Sequence, residues 1–268
     1  CHPPNGCPIL SVVISCDYRP ISGSGCDMRR KVIEKITKGP SSRYPKIRLD
    51  IKRYLIDLNL DLDNIYRVVS ESRYSPSVYF LSYDSISEIE RFTIFLEDRR
   101  FYRHFGLDIF CIPRLFRQLM SGRRVGAIST IDQQLVRTIV DRRERTISRK
   151  TKEILLSLLI NARLSKRDIL TSYLSIAYFG YGVKGADSAS RIIFLKRLDQ
   201  LSAQEAAFIA SLLVYPLPKP VVRLFRSLAD PGLDFDSRMK ILSVVAPEWF
   251  IKISRRYKYA LHRSGLSK

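Results

Sequence analysis

Residues 97–108 (EDRRFYRHFGLD) hold the first side chains that could do chemistry. Glu97 and Asp98 close an apolar run, Phe92 to Leu96. A carboxylate held against apolar side chains is disfavoured in its charged form and becomes a better proton acceptor, as a general base must be. The plainer reading is a solvated helix end, with His104 and Gly106 as a helix C-terminus, where cations and glycine are favoured. Residues 129–137 (STIDQQLVR) form the second group. Thr130 and Gln133 have the spacing of a capping box, so a helix should start here, and free N–H groups at a helix start bind phosphate oxygens.

Residues 145–153 (RTISRKTKE) form the third group. Arg145, Arg149 and Glu153 follow one another at i, i+4, and Lys150 lies three before Glu153, so all share one helix face. That face is either an exposed ion-pair stripe or a clamp for a diphosphate with an acidic partner. Residues 166–185 (KRDILTSYLSIAYFGYGVKG) read as a helix running into a glycine-spaced turn.

The elements that must position these groups are mostly helical. Apolar spacing predicts helices over 47–69, 85–103, 130–142, 144–163, 166–177, 202–214 and 235–245. Pro216, Pro218 and Pro220 stop the sixth. Residues 76–83 (PSVYFLSY) predict a short strand. There is no internal repeat and no alternating βα pattern, so the fold class is mainly α. Residues 1–45, rich in Pro, Gly, Ser and Cys, read as an irregular arm.

With 268 residues and 46% hydrophobic side chains the chain can bury a sizeable core. Its net charge of +20 attracts polyanions: nucleic acid, anionic headgroups or diphosphates. No nucleic-acid module is recognisable and the basic residues are spread along the chain, which argues against nucleic acid as the partner. Cysteines stand at 1, 7, 16, 26 and 111. They include no C-x-x-C pair, which disfavours zinc and leaves any disulfide pairing open. The apolar run 8–16 is about half of the ~20 residues a membrane span needs. The start at Cys1 suggests a processed or truncated N-terminus.

Taken in order, the four groups and a fifth at 201–213 (LSAQEAAFIASLL) resemble the glycosyltransferase domain of class A penicillin-binding proteins and of monofunctional peptidoglycan transglycosylases. That family's patterns run E-D-x-x-F-x-x-H-x-G, G-x-S-T-I-T-Q-Q-L, R-K-x-x-E, then a helix ending Y-F-G-x-G-x-x-G. Each is weak alone; five in order are specific. The resemblance implies a lysozyme-like helical lobe with a smaller membrane-facing jaw. Residues 109–124 (IFCIPRLFRQLMSGRR) suit the jaw, with apolar Phe116 and its neighbours interleaved with Arg114, Arg117, Arg123 and Arg124. The expected division is an arm over 1–45, a glycosyltransferase domain over 46–230 and a basic helical extension over 231–268.

Carried over residue by residue, Glu97 matches the family's catalytic base and Glu153 its second functional carboxylate, which holds a divalent cation (Mg or Mn) or orients the diphosphate. Ser129, Gln133, Gln134, Arg137, Arg145, Arg149 and Lys150 fall at substrate-contact positions. No organic cofactor is implied. The implied partners are lipid II, the growing glycan strand, the membrane surface and a separate transpeptidase. The implied place is the outer face of the bacterial cytoplasmic membrane. The chain departs from the pattern at Ile128, Asp132, Thr138, Thr171 and Ser175. Asp132 puts a negative charge near the expected diphosphate. These departures keep open a catalytically weak relative that binds glycan or lipid precursor as a scaffold.

Overall fold

The computed structural model describes residues 46–73, 87–111, 129–141 and 147–263. The expected arm over 1–45, the strand over 76–83, residues 112–124 of the jaw, and Ile128 and Arg145 lie outside the described residues. The chain divides into two compact units, Cys1–Ile51 and Lys52–Lys268, and the second carries all the groups singled out above.

The fold is mainly α, a lysozyme-like helical lobe. The helices are α1 Lys46–Arg73, α2 Glu88–Glu97, α3 Ile131–Val140, α4 Ile147–Asn161, α5 Lys166–Ile176, α6 Ala186–Phe194, α7 Ala203–Ser211, α8 Lys219–Leu228, α9 Phe235–Val245 and α10 Pro247–Arg263. Between α5 and α6 lies a small antiparallel pair, β1 Tyr178–Gly180 and β2 Val183–Lys184.

The sequence encodes its own helix starts. Ser87 with Glu90, Ser165 with Asp168 and Ser202 with Glu205 form reciprocal capping boxes. Helix α7 (AQEAAFIAS) is the hub and packs against both α2 and α10. Ala206, Ala207 and Ala210 are fully buried, and their small side chains let the neighbouring helices approach closely. Phe208 fills the centre, edge-on to Phe194, Trp249 and Tyr257 at centroid distances of 5.8, 6.4 and 5.8 Å.

Two glycines are steric necessities. A Cβ on Gly180 would meet Leu217 at 2.5 Å, where Leu217 N–H donates to Phe179 O and Tyr181 N–H to Leu217 O. Gly106 has φ +78°, and a Cβ there would stand 2.5 Å from Ser157 O.

The predicted helix over 85–103 is two elements. Helix α2 ends at Glu97, and Asp98 leaves the helical region at φ −156°, ψ 81°. A separate 3₁₀ turn follows at Phe101–Arg103. The cause is the Asp98 side chain, which turns inward to His104 and to the start of α3. Helices α6, α8 and α10 fall outside the set that apolar spacing predicts, α10 within the expected basic helical extension. Helix α7 ends at Ser211, ahead of the prolines, which instead open α8, with Pro218 as its N-cap and Pro220 in its first turn.

Candidate active site

Glu97 is the last residue of α2, its side chain only 10% exposed. Its Oε2 accepts from Gln134 Nε2 at 3.1 Å and its Oε1 from Arg256 Nη2 at 2.5 Å. The carboxylate is thus held between two donors, not left against apolar side chains as its flanking sequence suggests. Gln134 is itself fixed, since Tyr173 Oη donates to its Oε1 at 2.6 Å. Burial pushes the Tyr173 hydroxyl well above its ordinary range, with the charge of Glu97 adding to the effect, so it stays a donor.

Asp98 has a different task from its neighbour. Its carboxylate accepts from His104 Nε2 at 2.9 Å and from the first N–H of α3, Ile131, at 3.2 Å. The α3 N-terminus is therefore occupied by an internal carboxylate rather than open to a phosphate. His104 is this buried partner and is also the C-cap of the short 3₁₀ turn Phe101–Arg103. The expected capping box is half present. Thr130 Oγ1 accepts from Gln133 N–H, but the Gln133 side chain turns to Gly106 O at 3.1 Å. Thr130 also donates to Gly106 O at 2.8 Å, so the loop after Glu97 is pinned to α3 twice.

The third group comes together on α4. Arg149 pairs with Glu153 Oε1, and Lys150 lies 3.4 Å from Glu153 Oε2. The Lys150 ammonium also donates to Gln133 Oε1 at 2.6 Å and Ser129 Oγ at 3.2 Å, which uses all three of its hydrogens. Burial lowers the Lys150 pKa, and Arg137 and Arg149 add to this while Glu153 opposes it. The adjacent Gln133 and Gln134 thus connect the two carboxylates: one reaches Lys150 beside Glu153, the other reaches Glu97.

A pocket of about 220 Å³ opens beside this group, lined by Arg137, Arg149, Lys152 and Glu153 with Tyr54 and Asp57 of α1. Arg137 is exposed and makes no ion pair among the described residues. Glu97, Ser129 and Lys150 are not among the lining residues. As a divalent-cation ligand Glu153 fits poorly, because an incoming ion would have to displace both Arg149 and Lys150. Ligand atoms of Asp98, His104 and Asp132 lie within 4.8 Å of one another, all buried. There Lys166 Nζ lies 2.8 Å from Asp132 Oδ1, whereas Asp132 Oδ2 and His104 Nδ1, 3.9 Å apart, have no hydrogen-bond partner.

Four of the five departures from the family pattern lie among the described residues, and each makes a local bond, although Asp132 Oδ2 is left without a hydrogen-bond partner. Asp132 is fully buried, accepting from Asn161 Nδ2 at 2.7 Å and paired with Lys166, so its charge does not face a diphosphate. The hydroxyls of Thr138, Thr171 and Ser175 each donate to a carbonyl of their own helix, at 2.7, 2.7 and 2.8 Å. Sequence reasoning missed Tyr173, which sits inside the fourth motif as a buried aromatic with a polar tip. It missed Arg256 altogether.

The family model described as Transglycosylase matches residues 66–227, and the chain belongs to that family. Penicillin-binding protein 1F of Bacillus subtilis (strain 168) is 32% identical over 207 residues, 77% of this chain and 27% of that protein. Biosynthetic peptidoglycan transglycosylase of Thiobacillus denitrificans is 37% identical over 139 residues, 51% of this chain and 60% of that protein. Penicillin-binding protein 1A of Escherichia coli (strain K12) is 41% identical over 126 residues, 47% of this chain and 15% of that protein. The chain thus spans 60% or less of the length of these relatives.

Proposed function

We propose that the chain is a peptidoglycan glycosyltransferase that polymerises the lipid-linked disaccharide-peptide, lipid II, into glycan strands. In this reading Glu97 takes the proton from the 4-hydroxyl of the acceptor sugar. That oxygen attacks the anomeric carbon of the donor, the bond to the diphosphate breaks, and the configuration inverts from α to β. Undecaprenyl diphosphate leaves. The bond cleavage concentrates charge on the diphosphate, so fixed cations contribute most in the transition state. Arg137 and Arg149 are the cations for that role. Lys150 holds Ser129, Gln133 and Glu153 in register, and Glu153 keeps Arg149 and Lys150 in place. No step is routed through a metal ion.

The observation that carries the reading is the Glu97 carboxylate held by Gln134 of α3, one residue from the Gln133 that anchors Lys150. Of the departures that keep the scaffold alternative open, Asp132 is paired with Lys166 inside the fold, which favours the active reading. The test is incubation with the lipid-linked substrate and a gel for glycan polymer. Loss of a general base costs ~10²–10⁴-fold, so Glu97→Gln is expected to abolish polymer while the chain stays folded, its melting temperature lowered only by the loss of the pair with Arg256. Near wild-type polymerisation by that variant would remove Glu97 from the role.

The substrate's lipid ties the work to a membrane surface, at the outer face of the bacterial cytoplasmic membrane. No described helix is long and apolar enough to cross a membrane. Surface binding is supported by Phe105, just before the expected jaw, and by Ile109 and Phe110, its first two residues, which are 75%, 58% and 64% exposed. The Arg100 guanidinium lies 3.9 Å over the Phe110 ring, a mix of cation and apolar surface that suits anionic headgroups. Sedimentation with anionic vesicles, weakening as salt rises, is the expected behaviour. Protein left in the supernatant at low salt would count against this surface. A transpeptidase acting on the same strands is the implied partner.

A further inference from the structure

The two donors on Glu97 come from different parts of the chain. Gln134 belongs to the second family motif. Arg256 sits on α10, 159 residues beyond Glu97 and outside the family match, which ends at 227. Both bonds of the guanidinium come from Nη2, while its buried Nε has no hydrogen-bond partner. Its Nη2 donates to Glu97 Oε1 at 2.5 Å and lies 3.3 Å from Leu96 O, a carbonyl left open at the end of α2. The Arg256 side chain is 21% exposed. A second tie runs alongside, with Arg99 Nη2 donating to Tyr259 Oη at 2.6 Å and the Phe95 and Tyr259 ring centroids 6.0 Å apart. Below this contact, Ile253, Tyr257, Ala260 and Leu261 are buried, so α10 cannot drift from α2.

We propose that Arg256 is a positioning residue for the catalytic carboxylate. It fixes Oε1 of Glu97 against the end of α2, while Gln134 fixes Oε2. With one donor on each oxygen, the carboxylate plane and its rotamer are set. A Glu side chain otherwise has several rotamers, and a base misplaced by about 1 Å costs on the order of 100-fold in rate. A planar, permanently charged guanidinium suits the task, since it can bridge a carboxylate and a carbonyl at once. The catalytic arrangement is thus completed by a helix outside the part of the chain that the family model covers. The proposal rests on Glu97 being the base.

The experiment uses the full chain and five variants: Arg256→Gln, Arg256→Lys, Arg255→Gln on the exposed side of the same helix, Glu97→Gln, and Arg256→Gln combined with Glu97→Gln. Polymerisation is measured as kcat and KM, and thermal unfolding as a double-mutant cycle of Arg256→Gln with Glu97→Gln. Arg256→Gln should lower kcat roughly 10- to 100-fold, the range for a misplaced reacting group. KM should stay within about twofold, because substrate contacts are untouched. Arg256→Lys should recover part of the loss, and Arg255→Gln should match wild type. In the cycle, Arg256→Gln should cost several degrees alone and far less when Glu97→Gln is present. Unchanged kcat, or additive unfolding effects, would overturn the proposal. Should the wild-type chain make no polymer, the functional reading fails and the cycle alone decides: coupling upholds the positioning contact, additivity overturns it.

Discussion

At the scale of single residues, the cations beside Glu153 have divided labour. Lys150 spends its three hydrogens on Ser129, Gln133 and Glu153, whereas Arg137 faces the pocket without a pairing partner among the described residues. Arg137→Ala should therefore reduce turnover with little change in melting temperature. The loss of one charge-assisted contact, roughly 1.5–3 kcal/mol, corresponds to about 10- to 150-fold. A large fall in melting temperature with normal specific activity would show Arg137 to be structural. Lys150 gives a pH prediction. Burial and the neighbouring Arg137 and Arg149 lower its pKa, so as pH rises it loses its charge before an ordinary lysine near ~10.4 would. Turnover should fall on the alkaline side below that value, and Lys150→Arg, permanently charged, should flatten that limb. An alkaline limb unchanged in the Lys150→Arg variant would remove Lys150 from the profile. The motif residues Glu97, Gln133, Gln134, Arg149, Lys150 and Glu153 were legible because residue type and order are enough to mark them. Arg256 was not. Lys252, Arg255, Lys258 and Arg263 share its helix, and nothing local tells which cation reaches a carboxylate 159 residues away.

At the scale of elements, the loop after Glu97 is placed by polar links between α3, α4 and α5. Asp132 sits at their junction: fully buried, accepting from Asn161 of α4 and paired with Lys166 of α5. Removing one partner of a buried pair leaves the other charge uncompensated. Asp132→Ala should thus lower the unfolding free energy by ~3–5 kcal/mol, and adding Lys166→Met should recover much of it. Denaturant unfolding measures both. Equal stability of Asp132→Ala and wild type would mean that the junction is not held by this pair. The same junction explains a limit of sequence reading. The helix over 130–142 was predictable from its cap and apolar spacing. The inward face of Asp132 was not, because its partners lie 29 and 34 residues away and only packing selects them. The break at Asp98 had the same origin. Apolar spacing runs on to Phe101, while the tertiary bonds of Asp98 to His104 and Ile131 end the helix.

At the scale of the whole molecule, the family match stops at 227, yet the core does not. Helices α9 and α10 belong to the same compact unit as the motifs, Lys52–Lys268. The buried positions 253, 257, 260 and 261 of α10 have helical spacing, a signal available in the sequence but hidden among basic residues. Tyr257 lies edge-on to Phe208 of the central helix at 5.8 Å and to Phe235 at 5.9 Å, and is 5% exposed. Trp249 closes the other side of Phe208, its indole N–H donating to Tyr215 O at 3.1 Å. A chain ended at residue 230 would leave this face of α7 in water and leave Glu97 without Arg256. The truncated chain should therefore fail to unfold cooperatively and should make no polymer. Tyr257→Ala is the finer probe: truncating a buried aromatic costs ~3–5 kcal/mol, so its denaturant midpoint should fall while Glu97 keeps both donors. If the truncated chain instead melts cooperatively near the full-length temperature, α9 and α10 are an appendage to the core rather than part of it.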